Sequence, residues 1–63
     1  MNIKRGYYLT RHGVKAGVTY CDQYRAHGYL EMPDVPLNFS WDLTGKVYED
    51  YEHQFDLIEK LEK

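Results

Sequence analysis

Sixty-three residues make room for one small domain and no more, since ordinary domains run to about 100–150 residues. Hydrophobic residues form 43% of the chain and charged ones 29%, a globular composition that excludes the disordered and membrane classes. The net charge of −2 hides an imbalance, because residues 1–31 carry five Lys and Arg against two Asp and Glu, whereas residues 32–63 carry three against eight. Five scattered cations are too few for a nucleic-acid footprint, so nucleic acid is disfavoured as a partner.

Arg5 to Cys21 reads as strand, turn, strand. Tyr7, Tyr8 and Leu9 are good strand formers, and Gly13 supplies the positive φ of a tight Arg11-His12-Gly13 connection. Val14, Ala16, Val18 and Tyr20 then alternate with Lys15, Gly17, Thr19 and Cys21, the period-two pattern of a hairpin with one apolar face. Asp22-Gln23 suits a second turn. Tyr24, Ala26, Gly28 and Leu30 alternate with Arg25, His27, Tyr29 and Glu31; helix competes with strand over residues 24–31, and Gly28 with the tyrosines favours strand.

Met32-Pro33-Asp34-Val35-Pro36 is a loop, because neither proline can donate to a ladder and each restricts its predecessor. Leu37, Phe39 and Trp41 share a strand face, Asp42-Leu43-Thr44-Gly45 is a turn with Gly45 left-handed, and Lys46-Val47-Tyr48 returns as a short strand. Tyr51, Phe55, Ile58 and Leu61 recur at helical spacing, with Glu49, Asp50 and Glu52 early and Lys60 and Lys63 late, which complements the helix dipole. A helix starting between Glu49 and Phe55 is expected to close the chain. The fold class is therefore α+β, one domain over residues 1–63. It consists of a small antiparallel sheet of about five strands, two hairpins plus a third strand between, with a C-terminal α-helix.

Cys21 is the single cysteine, so no internal disulfide can form and a reducing cytoplasm is the expected compartment. No apolar run approaches the ~18 residues of a membrane span, and no hydrophobic stretch follows the first residues as in a signal, so no membrane partner is expected.

The run Gly6-Tyr7-Tyr8-Leu9-Thr10-Arg11-His12-Gly13-Val14-Lys15-Ala16, with His27-Gly28-Tyr29-Leu30, Trp41-Asp42-Leu43-Thr44-Gly45-Lys46-Val47-Tyr48 and Asp56-Leu57-Ile58, resembles a recurrent type of small phage and prophage protein. The likeness covers most of the chain in order. It implies a phage origin and a small β-rich fold and supplies no activity; with such an origin the cytoplasm expected from the lone cysteine is the host's. His12 stands where that type usually has Asp, and Gln54 where it usually has Pro.

Little in the sequence speaks for catalysis. His12, His27, His53 and Cys21 show no close ligand pair of the kind zinc sites use, so no metal or other cofactor is expected. Cys21 with His12 or His27 lacks an orienting third group, and a buried strand cysteine is the favoured reading. The five glycines are scattered rather than gathered in a phosphate loop. The acids from Glu49 to Glu62 read as a solvated helix face rather than as a mimic of DNA.

The aromatics are in surplus: seven Tyr, two Phe and one Trp exceed what a thin core can hide, and Tyr, Trp and Arg dominate binding hot spots. By subtraction, and with the resemblance, the expected function is a non-catalytic phage accessory protein that binds and inhibits a host protein in defence evasion. Arg11, His12, Tyr24, Arg25, His27, Tyr29 and Trp41 are the expected binding residues. Homo-oligomerisation through an edge strand is also expected. The alternative is an oligomer that sequesters a small anionic or nucleotide ligand, with Arg11, His12, Arg25 and His27 on phosphate and Tyr24, Tyr29 or Trp41 stacked on a base. Weak single-strand nucleic-acid binding is a third reading, opposed by the acidic half.

Overall fold

The computed structural model describes residues 2–61. The period-two segments form a four-stranded antiparallel meander: β1 (Gly6–Thr10), β2 (Lys15–Cys21), β3 (Arg25–Leu30) and β4 (Leu37–Asp42). A fifth strand, β5 (Leu57–Leu61), returns antiparallel to the free side of β1, giving the order β4-β3-β2-β1-β5. Gly13 (φ 86°) and Gly45 (φ 92°) hold the left-handed backbone at the two expected turns. Residues 24–31 are strand rather than helix, from Arg25 to Leu30.

Neighbouring strands alternate large and small side chains on the buried face, which lets a thin core close without gaps. Tyr8 stands beside Ala16, and Ala16 beside Leu30. Trp41 stands beside Ala26. With Ile3, Val18 and Leu57 these residues are the core, flanked by Val14, Met32, Phe39, Val47 and Phe55. Among the described residues each buried side-chain nitrogen or oxygen has a partner: the Tyr8 hydroxyl donates to the Lys4 carbonyl, and Trp41 Nε1 donates to the Phe55 carbonyl at 2.8 Å. Hydrogen bonds from Ile3 N–H to the Leu43 carbonyl and from Leu57 N–H to the Gly45 carbonyl tie both ends of the chain to the turn after β4.

Gly28 on β3 has no room for a side chain against β2. A Cβ there would stand 1.8 Å from the Gly17 carbonyl oxygen, so only glycine fits. Next to it β2 bulges between Val18 and Tyr20, and the Thr19 hydroxyl donates to the His27 carbonyl.

The chain is all-β among its described residues, and the expected α+β class with a C-terminal helix is corrected. The reason lies in where residues 54–57 spend their backbone groups. His12 N–H donates to the Gln54 carbonyl, Arg11 N–H to the Asp56 carbonyl, Trp41 to Phe55 and Leu57 to Gly45, which leaves no i to i+4 ladder to form. Nor is the helical stripe buried: Tyr51 and Ile58 are exposed, while Leu57, off the stripe, is core. The short strand expected at Lys46-Val47-Tyr48 is absent as well. Lys46 closes on Asp42, but the next amide, Val47, donates to the Asp56 carboxylate instead of continuing the ladder. The fifth strand therefore comes from residues 57–61.

Candidate functional site

Residues that face away from the core leave two aromatic patches outside. Tyr20, Tyr24, Tyr48 and Tyr51 are 57%, 73%, 47% and 60% exposed, so four of the seven tyrosines present rings to solvent.

The first patch sits on the turn between β2 and β3. Asp22 builds it: Oδ1 accepts the Tyr24 and Arg25 amides at 2.7 Å, and Oδ2 meets His27 Nε2 at 2.8 Å. The His27 ring so held stacks on Tyr20, centroids 4.7 Å apart. The Tyr24 amide, then His27 and the Arg25 amide, hold the Asp22 carboxyl down to about 2. A lowered folded value means that this turn's contribution is complete above the usual Asp value of about 3.9 and fades only as pH falls through about 2. The Tyr24 and Arg25 amide resonances are accordingly expected to hold their positions through pH 4 and to move as pH approaches about 2. An NMR acid titration with its midpoint near the ordinary Asp value would refute the turn as described.

The second patch rides on the loop of residues 46–56, which is organised by a carboxylate with only 1% exposure, Asp56. Its Oδ1 accepts the Val47 amide at 2.9 Å, and its Oδ2 accepts the His53 amide at 2.9 Å and Arg11 Nη2 at 3.2 Å. Burial alone would raise this carboxyl, but the two amides and the guanidinium outweigh it and the net shift is downward. On the loop so pinned, Tyr48 stacks on Tyr51 at 4.9 Å and meets the edge of His53 at 5.5 Å. His53 Nδ1 accepts the Phe55 amide, which fixes the ring's orientation. Glu49, Asp50 and Glu52 around it are exposed, and Glu52 reaches Arg11 at 3.9 Å.

The seven expected binding residues do not converge. Arg11 and His12 lie in the turn before β2, and Arg25 lies just past its far end, with His27 beside Tyr20. Arg11 is engaged by Asp56, and Arg25 Nε donates to Ser40 Oγ. Trp41 is a core residue with no exposed surface, so its ring is not available for stacking. Tyr24 and His27 belong to the first patch; Tyr29, half-buried, covers Gly17 elsewhere on the sheet. Cys21 is corrected from buried to exposed, with its thiol donating to the Ile3 carbonyl at 3.4 Å.

Tyr20, Asp22, Tyr48, Tyr51, His53 and Asp56 are the residues that build the two patches and were not among the expected binding residues. The signal for Asp56 was an acid immediately before an apolar pair, Leu57-Ile58, after a polar stretch. Among the described residues, no group of three His, Cys, Asp or Glu could hold a metal ion. None forms a helix long and apolar enough to cross a membrane.

No known protein family, curated protein or solved structure matches the chain. The expectations of a phage origin, an inhibitor and defence evasion therefore find no support and are set aside; the antiparallel sheet is the part of that reading that stands.

Proposed function

We propose that the protein is a non-catalytic binding module that docks another protein through its outward tyrosines, in a reducing cytoplasm. The observation that carries this reading is that the exposed rings are held in place: Tyr48 by Tyr51 and His53, Tyr20 by His27. Rings already ordered lose little side-chain freedom on contact, and each brings a large apolar face with a polar tip. The acids beside Tyr48 and Tyr51 suit a partner with a basic face. The exposed Cys21 thiol is at home where thiols stay reduced.

The test is affinity capture from lysate of the source cells by the wild-type chain and by the Tyr48→Ser/Tyr51→Ser variant. Both rings are exposed, so the variant keeps its fold, as circular dichroism would verify. Wild type is expected to recover a basic protein in near-stoichiometric amount, and the variant at least ~10-fold less. Equal recovery by the two would sink the proposal, as would none by wild type. A second copy of the chain is the other candidate partner, because among the described residues β4 and β5 each end the sheet with one side unpaired. Sedimentation equilibrium separates the two, since self-association raises the mass without any other protein.

A further inference from the structure

The two strands that end the sheet differ in how their open sides are guarded. Charges, prolines and bulges keep edge strands from pairing with other chains. β5 carries Glu59 and Lys60, and a register shift between Leu9 and Thr10 interrupts its pairing with β1. β4 pairs with β3 without interruption from Leu37 to Asp42, contains no proline or lysine, and has its one charge, Asp42, at its end.

The direction of the open backbone groups on β4 follows from β3. The Arg25 amide donates to Asp22 Oδ1 and the Arg25 carbonyl accepts the Asp22 amide, so both face the β2 side. In an antiparallel pair the residue opposite, Asp42, then turns its own groups away from β3. There they are already met: the Asp42 amide donates to the Lys46 carbonyl, and the Asp42 carbonyl accepts the Gly45 amide. Ser40 and Asn38, at alternate positions before it, point their groups the same way. Among the described residues no backbone group meets theirs on that side. On the core face beside them Phe39 is half-buried, and Leu37 is exposed although it stands level with fully buried Leu30.

We propose that two copies of this chain pair antiparallel along β4, about a two-fold axis at Phe39. Asn38 of each copy then stands opposite Ser40 of the other, and their outward amides and carbonyls exchange hydrogen bonds. Phe39 meets its own counterpart and Leu37 stands opposite Trp41 of the copy, so the core face continues from one sheet into the next. Moving the axis by half a residue sets core-face residues against outer-face ones. Moving it to Asn38 puts Pro36, which has no N–H, opposite Ser40; moving it to Ser40 puts Asn38 opposite Asp42, whose groups are taken. Only the Phe39 register uses the open groups in full. It also brings the loop carrying Asp34 of each copy toward the turn carrying Lys46 of the other, opposite charges. None of the four exposed tyrosines lies on β4, so this contact goes beyond docking through them and does not depend on it.

Sedimentation equilibrium at up to about 1 mM protein tests the pairing, together with an isotope-filtered Overhauser spectrum of mixed labelled and unlabelled wild-type chain. Wild type is expected to dimerise, with contacts between Asn38 of one copy and Ser40 of the other. Asn38→Pro removes an outward amide that no internal hydrogen bond uses, so it keeps the fold, as circular dichroism would verify, and should weaken the dimer at least ~10-fold. Tyr48→Ser/Tyr51→Ser should dimerise as wild type does. A monomeric mass at the highest concentration would overturn the proposal, as would an unweakened dimer of the proline variant or intermolecular contacts confined to β5. Because the spectrum uses wild type alone, it decides the matter even if the proline variant unfolds. Loss of the dimer in the tyrosine variant would also overturn it, and would make the second copy the occupant of the tyrosine patch. A dimer paired through Asn38 and Ser40 in a chain that captures no other protein would uphold it while the docking reading fails.

Discussion

Replacing Asp56 by Asn is expected to destabilise the fold by about 2–4 kcal/mol, a large share of the stability of so small a domain. Asparagine has nearly the same shape and keeps one oxygen for the Val47 amide. Its other atom becomes an NH2 facing two further donors, the His53 amide and Arg11 Nη2. Two donors then face a donor in a position almost closed to water. At about 4–8 °C per kcal/mol for a domain of this size, the melting temperature should fall by roughly 8–32 °C.

The same carboxylate sets a pH dependence whose sign follows from its lowered folded value. Its contribution is complete above the usual Asp value near 3.9 and is lost as pH falls through the lowered one. Asp42, lowered although burial opposes it because Thr44 and Lys46 donate to it, acts in the same window. Wild type should therefore lose stability from about pH 4 downward, and the gap between wild type and Asp56→Asn should narrow there. Urea unfolding of both proteins at neutral and acid pH measures it. A gap of constant size would mean that the Asp56 charge is not what holds the loop.

Gly28→Ala is the second large effect, expected at about 3 kcal/mol. The new methyl would meet the Gly17 oxygen at 1.8 Å, the Gly17 carbonyl carbon at 2.8 Å and Val18 Cα at 2.9 Å, all of them backbone atoms. No rotamer change can relieve that, so β2 and β3 must part there. Gly17→Ala is the informative control, because the three atoms nearest its methyl all belong to the Tyr29 side chain, which can swing aside. It should cost about 1 kcal/mol. Denaturant midpoints for the two variants decide the matter: Gly28→Ala must be the more damaging, and the reverse order would contradict the strand register.

The meander was legible because its signals are local. Alternation marks β2 and β3, the two prolines mark the loop before β4, and Gly13 and Gly45 mark turns that require a left-handed residue. The C-terminal third was not legible, because long-range partners decide its conformation. Residues 49–61 carry a helical spacing and a dipole-matched charge order, yet Arg11, His12, Trp41 and Gly45 claim the backbone groups that a helix would need. Strand β5 forms because β1 offers an unpaired side, which no local pattern announces.

The surplus of aromatics was likewise readable as a total, but which rings go outside was not. Trp41 has the makings of a hot-spot residue and fills the core opposite Ala26. Tyr51 has the makings of a helix stripe and stands outside on Tyr48.

The most direct test of the arrangement that puts the tyrosines outside is a nuclear Overhauser spectrum of the wild-type chain. Cross-strand contacts of Tyr8 with Lys60 and of Leu9 with Glu59, together with contacts between the Tyr48 and Tyr51 rings, are the expected result. A run of helical contacts between residues four apart from 49 to 61 would contradict it.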